Sequence, residues 1–230
     1  IVAAGQVLCV SMAELAGPEV GHGLPGTVLS ADTETLTLSC GRGAIILGGI
    51  TDSAGHPVAP LRLVSVGNTL PSLERDAAVE LTNTMETVLK GESFWRNVLP
   101  AFHGARLPLI SDASDLAEIR RLSMTLPDDL TPEDMVALVC LWADRSGVPA
   151  PFDIAFRNEA PRAKGYLNHW VPLRLPRETA HSLHDVKAHA RNALGEISDK
   201  GTFACDLVLR DTGIHPLSTP DIALTFEDDV

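Results

Sequence analysis

A capped amphipathic helix that follows a short apolar strand is the feature that most constrains this fold. Ser182 and Asp185 have the spacing of a capping box, in which each side chain accepts a hydrogen bond from an unpaired N–H of the first helical turn. One face of this helix is apolar at helical spacing: Leu183, Val186, Ala190, Ala193, Leu194 and Ile197. The preceding run, Trp170–Leu175, is short and ends at Pro176, which is typical of a strand. We therefore predict that residues 166–198 form a strand and a helix that packs on its sheet.

Short aliphatic or β-branched runs, separated by turn residues, occupy the first 66 residues. They are Val7–Val10, Thr27–Ser30, Leu36–Ser39 and Ala44–Leu47. Short strands at a spacing of about ten residues predict a small β-barrel or sandwich. The β pattern stops near Val64, and Gly67-Asn68 marks a joint. We predict two domains, residues 1–66 and residues 67–230.

Helices and strands are predicted to alternate after this joint. A helix is expected to begin at Ser72 and to end at Lys90-Gly91, and a shorter one to run from Ser93 to Phe102. The apolar face of the first consists of Leu73, Ala77, Leu81, Thr84, Met85 and Val88. Thr131 and Asp134 open a further helix as a second capping box, with proline at its first position. Its buried face is predicted to comprise Met135, Leu138, Val139 and Trp142.

Three more strands complete the predicted second domain. They are expected at Glu118–Leu126, Phe152–Phe156 and Ile222–Phe226. Together with the capped helices they give a layered α/β order.

Composition excludes some functions. With 18 basic and 30 acidic residues the net charge is −12, which argues against binding to nucleic-acid phosphates. Four cysteines without a C-x-x-C spacing favour reduced thiols in a cytoplasmic protein over a disulfide framework or zinc site. No apolar run approaches the roughly 18–20 residues that cross a bilayer, so no membrane partner is expected. The chain begins at Ile1 rather than methionine, which indicates an excised piece of a longer protein.

Two segments resemble the condensation domains of nonribosomal peptide synthetases. Asn168, Pro172-Leu-Arg174 and the capped helix follow the order of the C-terminal lobe of that family, with one extra residue between Asn168 and Pro172. Glu92–Leu99, followed by Leu107–Asp112, is similar to the helix and proline-containing turn at the crossing between the two lobes. The resemblance implies half a condensation domain, a sheet with helices against it, related in shape to chloramphenicol acetyltransferase.

The N-terminal part resembles a second family. Leu24–Ser30 and Leu36–Leu47 are similar to the C-terminal barrel of methionyl-tRNA formyltransferases and related formyl-transferring enzymes, which begins with a Pro-Gly-Thr-Val strand. The match covers roughly residues 5–63. It implies a small, OB-like β-barrel in residues 1–66, ahead of the layered α/β lobe in residues 67–230. The whole chain is thus expected to be of mixed α and β class.

The catalytic residues of both families have no counterpart here. Condensation domains use a doubled histidine followed by aspartate and glycine, which this sequence lacks, and the catalytic domain of formyltransferases would precede Ile1. His181, His184 and His189 lie close in sequence, while His103 stands apart, and neutral imidazole can serve as a base or metal ligand. We interpret His181 and His184 as surface residues beside a helix cap. No catalytic, cofactor-binding or metal-ligating residue is assigned.

Other candidates for chemistry have structural interpretations. Gly41-Arg-Gly43 and Gly48-Gly49 could cradle a phosphate, but neither opens a capped helix after a strand, which favours tight turns. Ser11 and Ser182 lack a G-x-S-x-G context and would need a base in reach to act as nucleophiles. Burial or core packing is predicted for the remaining candidates: Cys40, Cys140, Trp95, Trp142 and Trp170.

The two resemblances lead to a structural hypothesis. The chain would be a non-catalytic linker and docking region of a nonribosomal peptide synthetase, placing a formyltransferase domain relative to an adenylation domain and a carrier protein. The expected partners are the upstream formyltransferase catalytic domain, the adenylation domain and the carrier protein, which bears its own phosphopantetheine arm. No cofactor is expected on this chain. A docking role predicts an apolar or mixed surface patch on the second domain.

Two alternatives remain open from the sequence. The chain could form part of an acyl- or formyl-transferase active site, completed by another chain or by upstream residues, with groups near His103 and Asn168 lining it. The barrel could instead bind an oligonucleotide such as tRNA, for which it offers only Arg42 and Arg62 as basic residues.

Overall fold

A computed structural model describes residues 1–17, 23–53, 55–108, 127, 129–157, 165–174 and 182–226. It contains both helices and sheets, which confirms the predicted mixed α and β class. The chain divides into two compact units. Unit 1 comprises Ile1–Pro100, Ala160–His169 and Phe203–Leu217, and unit 2 comprises Ala101–Glu159, Trp170–Thr202 and Ser218–Val230. Each unit draws on separate stretches of chain, and the division between residues 66 and 67 stays a prediction.

The described strands form three sheets. They are β1 (Val2–Ala3), β2 (Gln6–Val7), β3 (Cys9–Leu15), β4 (Val28–Ala31), β5 (Thr35–Ser39), β6 (Ala44–Thr51), β7 (Asp153–Arg157), β8 (Val171–Arg174) and β9 (Ala223–Thr225). In unit 1, β1 pairs with β2, and a four-stranded antiparallel sheet has the order β3-β6-β5-β4. In unit 2 the order is β8-β7-β9, with β8 antiparallel and β9 parallel to β7.

The sheet of unit 1 is open in the part of the chain that the structure describes. Its edge strands, β3 and β4, do not pair with each other, so these residues do not form the closed barrel that was expected. The predicted strands at Thr27–Ser30, Leu36–Ser39 and Ala44–Leu47 correspond to β4, β5 and β6. The predicted Val7–Val10 strand is divided between β2 and β3. The core under this sheet consists of Ala3, Leu8, Val28, Leu36, Leu38, Leu47 and Ile50.

The described helices are α1 (Arg75–Val88), α2 (Glu92–Val98), α3 (Pro132–Arg145), α4 (Leu183–Lys200) and α5 (Leu207–Arg210). Short 3-10 turns at Leu89–Gly91 and Leu99–Ala101 follow α1 and α2. The first predicted helix begins at Arg75 rather than Ser72, and no side chain caps its first turn. None of its residues is fully buried, and its predicted apolar face is at most half-buried.

Aromatic side chains anchor α2 in unit 1. Trp95 is 1% exposed, and its ring lies 4.9 Å from Phe94 and 5.4 Å from Phe203, measured between centroids. Phe203 follows α4 in the chain, more than a hundred residues later. The aromatic contacts of α2 therefore involve residues that are distant in sequence, whereas the core under the sheet lies within residues 1–66. The prediction that Trp95 lies in a core is confirmed.

Unit 2 contains the strand and helix unit that the sequence predicts. The structure confirms β8, the Ser182 and Asp185 capping box, and α4, whose buried residues are Val186, Ala190 and Ile197. The strands predicted near Phe152 and Ile222 are present as β7 and β9. The strand predicted at Glu118–Leu126 lies outside the described residues.

Candidate functional site

Helix α3 of unit 2 is held in place by its first turn and by α4. Thr131 and Asp134 form the predicted capping box, in which each side chain accepts the backbone N–H of the other. Lys187 of α4 contacts the carboxylate of Asp134, and Arg191 of α4 lies 3.5 Å from Glu133. Hydrogen bonds from Lys187 and then Thr131 lower the pKa of Asp134 to about 2. At neutral pH the start of α3 is thus tied to α4 by paired charges.

An apolar surface lies on the exposed side of α3. We call Met135, Leu138, Val139 and Trp142 the α3 surface. Leu138 and Trp142 are 45% and 52% exposed, while Met135 and Val139 are half-buried. Residues at these spacings are neighbours along one side of a helix. Large apolar side chains clustered in this way are typical of contact surfaces for another protein.

The sequence prediction for the buried face of α3 was wrong. The residues that are buried are Val136, Ala137, Cys140 and Ala143. The helix has apolar residues on two sides, and the side with small residues is the buried one. Small side chains allow two helix backbones to approach closely, which fits the contact between α3 and α4. Trp142 was therefore wrongly placed in a core, whereas Trp170 is buried as predicted.

A buried ion pair connects two strands of unit 2. Asp153 at the start of β7 is 0% exposed. Arg174 at the end of β8 donates from Nε to Oδ1 of Asp153 at 2.9 Å and from Nη2 to Oδ2 at 2.7 Å. The backbone N–H of His103 donates to the same Oδ2 at 2.7 Å, and Arg174 also donates to the carbonyl of Ala101. Both carboxylate oxygens are thus engaged inside the unit.

Sequence reasoning missed Asp153, although a signal was present. Asp153 is a charged residue in an otherwise apolar predicted strand, and a buried carboxylate requires a partner. Its partner, Arg174, belongs to the Pro172-Leu-Arg174 segment on which the condensation resemblance rests. In this structure that arginine has a structural role, because its guanidinium neutralises Asp153.

A second network of charges joins α2 and α5 in unit 1. Arg210 donates to both carboxylate oxygens of Glu92, at 2.7 and 3.2 Å, and Arg96 donates to Oε1 of Glu92 at 3.2 Å. The bonds from Arg210 are the main reason that the pKa of Glu92 is lowered. Glu92 opens the other segment that resembles the condensation family, and it too makes contacts within its own unit.

Asn168 and His103 belong to different units and make structural contacts. Asn168, in unit 1, is 7% exposed, and its backbone N–H donates to the carbonyl of Phe203 at 2.9 Å. His103, in unit 2, is exposed and donates from Nδ1 to the carbonyl of Ala101 at 2.8 Å. The structure thus places Asn168 in unit 1 and His103 in unit 2.

The remaining histidines do not form a metal centre in the part of the chain that the structure describes. His184 is exposed on α4, and His181 lies outside the described residues. Nδ1 of His189 is buried on α4 and has no hydrogen-bond partner among the described residues. No group of three or more His, Cys, Asp or Glu side chains that could hold a metal ion occurs among these residues.

Burial makes Cys9, Cys140 and Cys205 poor nucleophiles, whereas Cys40 is only half-buried, which corrects its predicted burial. None of the four cysteines forms a disulfide in this structure. Burial raises the pKa of Cys140 and of Cys205 to about 12, and burial also raises the pKa of Cys9. Because the thiolate is the reactive form, these thiols stay protonated and unreactive at neutral pH.

The glycine pairs and the serines also have structural positions. Gly43, with φ of +72°, lies in the turn between β5 and β6, where its carbonyl accepts the N–H of Cys40. Gly48 and Gly49 lie inside β6 rather than in a turn, which corrects that prediction. Ser11 donates to the carbonyl of Gly49 at 3.2 Å, and Ser182 is the N-cap of α4.

Comparison with protein-family models, with curated proteins and with solved structures gave no match to this chain. A search of the described helices found none that is both long and apolar enough to span a membrane.

Proposed function

We propose that this chain is a non-catalytic linker and docking region of a nonribosomal peptide synthetase. It would place a formyltransferase domain relative to an adenylation domain and a carrier protein in the cytoplasm. In this proposal residues 1–66 descend from a formyltransferase barrel and residues 67–230 from the C-terminal lobe of a condensation domain. The observation that carries the docking role is the α3 surface.

The α3 surface has properties suited to a protein contact. Trp142 is a large aromatic side chain, and aromatic residues are enriched among those that contribute most to binding at interfaces. Leu138 lies one helical turn before it and is similarly exposed. The charges at the start of the helix are already paired with α4, so a partner could cover this surface without burying them unpaired.

The contacts of the resembling segments support the non-catalytic part of the proposal. Arg174 is bonded to Asp153, and Glu92 to Arg210, so both side chains already serve the packing of their own units. Asn168 is buried within unit 1. An acyl- or formyl-transfer site in this chain would need a base or nucleophile directed at substrate. That alternative has no specific observation in its favour.

The first experiment is to determine the coding sequence on both sides of this segment. We expect a formyltransferase catalytic domain before it and an adenylation domain after it, without a doubled-histidine lobe. An intact doubled-histidine lobe nearby, or a reading frame that codes for this segment alone, would overturn the linker proposal. In either of those cases a transfer assay with an aminoacyl-loaded carrier protein becomes the appropriate test.

A binding experiment tests the docking surface directly. We would measure calorimetrically the affinity between this chain and the adjacent adenylation domain, for the native chain and for a Leu138→Ser/Trp142→Ser variant. Replacing two central apolar contacts is expected to weaken binding by at least about tenfold. Leu89→Ser is a matched control, because Leu89 is similarly exposed but belongs to unit 1. Equal affinities for all three proteins would contradict a docking role for α3.

A further inference from the structure

Helix α1 of unit 1 lacks the buried side that α3 and α4 have in unit 2. None of its 14 residues is buried, whereas α3 buries four residues and α4 buries three. Its most covered apolar side chains, such as Leu81 and Met85, are half-buried, and Val79 is 55% exposed. Most of the stability of a helix in a protein comes from packing of an apolar face, and isolated helices shorter than about 12–15 residues are marginal in water. Packing therefore contributes little to the stability of α1.

The two ends of α1 are also weakly stabilised. Glu74 precedes the helix and no side chain caps its first turn, whereas Ser182 caps α4. Asp76 in the first turn has the favourable sign, but the last turn contains Glu86 and no basic residue. A negative charge at that end is unfavourable, because the helix dipole has its negative pole there.

Three threonines lower the helix propensity of α1 further. Threonine is β-branched, and it is less favourable in a helix than alanine is. The hydroxyls of Thr82, Thr84 and Thr87 donate to the carbonyls four residues earlier, at 2.9, 2.9 and 3.3 Å. Such bonds slightly destabilise helices and often bend them. The local sequence of α1 therefore does not replace the stability that packing fails to supply.

The chain is anchored on both sides of α1. Before the helix, the N–H of Leu70 donates to the carbonyl of Gly26 at 2.9 Å. After it, Trp95 of α2 is 1% exposed, and Glu92 lies 2.7 Å from Arg210. As a helix of 14 residues α1 spans about 21 Å, whereas an extended chain of that length reaches about 46 Å. The helix can therefore unfold while both anchors stay bound.

We propose that α1 is an order–disorder element of unit 1, which unfolds and refolds by itself while the sheet and α2 stay folded. Elements with few buried contacts are the ones that open locally in native proteins. When α1 is unfolded, residues 71–89 form a flexible tether of variable span between the sheet and α2. This element lies in unit 1 and does not depend on the proposed function, whose docking surface lies on unit 2.

Native-state hydrogen exchange of the full chain tests the proposal without any substitution. We expect the amides of α1 to exchange at least about 100-fold faster than those of β5, a strand that is paired on both sides. The opening of α1 should depend little on low concentrations of urea, because it exposes little surface. Exchange of α1 and β5 through one opening, with the same rate and the same urea dependence, would overturn the proposal.

Two matched proline substitutions locate the opening. Glu80 and Asn97 are both exposed, and each is the sixth residue of its helix, α1 and α2 respectively. The reporter is the backbone amide of Asn168, which donates to Phe203, whose ring contacts Trp95. Glu80→Pro should raise exchange at this amide by less than about tenfold, because only α1 unfolds. Asn97→Pro displaces Trp95 and should raise it by more than about 100-fold. Equal effects of the two substitutions would show that α1 unfolds only together with the rest of unit 1.

Proteolysis provides an independent measurement, since cleavage follows the population of the open form. Glutamyl endopeptidase should cleave after Glu80 faster than after Glu196, which is also exposed but lies in the capped helix α4. Glu74→Ser/Ala77→Gln gives α1 a capping box and should slow cleavage after Glu80 at least about fivefold. Glu74→Ala/Ala77→Gln lacks the capping oxygen and is the control, which should be cleaved faster than the capped variant. Resistance at Glu80 equal to that at Glu196, or equal cleavage of the two variants, would overturn the proposal.

Discussion

Asp153 carries a carboxylate that is buried inside unit 2 and therefore needs hydrogen-bond partners there. Its carboxylate is 0% exposed and accepts hydrogen bonds from Arg174 and from the N–H of His103. A buried charge without a partner is strongly destabilising, whereas a buried pair with full hydrogen bonding is tolerated. Arg174 therefore stabilises unit 2 mainly because it prevents an unpaired buried charge, and less through its attraction to Asp153.

Removal of the Arg174 side chain is expected to destabilise unit 2. Arg174→Ala leaves the buried carboxylate uncompensated and should lower the free energy of unfolding by about 3–5 kcal/mol. The measurement is urea denaturation followed by circular dichroism. Arg157→Ala, at the exposed end of the same strand β7, is the control and should change stability by less than about 0.5 kcal/mol. Equal effects of both substitutions would show that the ion pair does not stabilise the unit.

Gly49 is constrained by both its backbone and its neighbour. Its φ is +58°, and a Cβ atom at this position would lie 1.9 Å from Oγ and 3.3 Å from Cβ of Ser11. Gly49→Ala should cost about 2–3 kcal/mol, since the left-handed conformation alone costs about 1–2 kcal/mol for an L-residue. Thermal unfolding of the variant is the measurement.

Two further variants separate the backbone strain at Gly49 from its close contact with Ser11. Gly43→Ala has the same kind of backbone strain, with φ of +72°, but no neighbouring atom within 4 Å, so it should cost less than Gly49→Ala. Adding Ser11→Ala to Gly49→Ala should recover part of the loss, because the two sites are in contact. Strict additivity of the two substitutions would rule out the close approach of Ser11.

Helix α3 shows what local sequence does and does not determine at the level of elements. Its first turn was predicted correctly, because a capping box depends on residues three positions apart. Its buried face was predicted wrongly, because both sides of the helix are apolar. The choice between them depends on which side fits α4, and helical periodicity contains no information about that neighbour.

The cap of α3 should make stability depend on pH in acid. The pKa of Asp134 is about 2 in the folded chain, below its usual value of 3.8, because Lys187 and Thr131 bond to its carboxylate. The stabilisation is complete above about pH 4 and is lost as the pH falls toward 2, since the unfolded state binds the proton first. Urea midpoints measured between pH 5 and pH 2.5 should fall less steeply in Asp134→Asn than in the native chain.

A neighbouring carboxylate provides the control for this experiment. Asp129 is exposed in the turn that precedes α3. Asp129→Asn should keep the native dependence of the urea midpoint on pH. If Asp134→Asn also keeps the native dependence of the urea midpoint on pH, the cap does not contribute to stability in acid.

At the scale of the whole molecule, the two units are interleaved along the chain. Unit 1 includes Phe203–Leu217, in which Phe203 contacts Trp95 and Leu207 is fully buried. Cleavage at the predicted boundary of 66/67 would separate the sheet of unit 1 from these residues. The units are thus compact in space without being contiguous in sequence.

Fragments of the chain test this organisation. A fragment of residues 1–66 lacks α1, α2 and α5, and we expect it to show no cooperative thermal transition, whereas the full chain does. The measurement is circular dichroism during heating, with the full chain as the reference. A cooperative transition in the fragment would establish residues 1–66 as an autonomous domain, as the sequence predicts.

The sequence by itself determined the local features of this protein. Both capping boxes, the positions of β4 to β9 and the mixed α and β class follow from patterns that span a few residues, such as Ser182 with Asp185. Only the tertiary structure decided the burial of Asp153 beneath Arg174, the exposure of Trp142 and the inclusion of Phe203 in unit 1. The physical reason is that caps and turns are satisfied by near neighbours in the chain, whereas burial depends on partners that folding brings together from far apart.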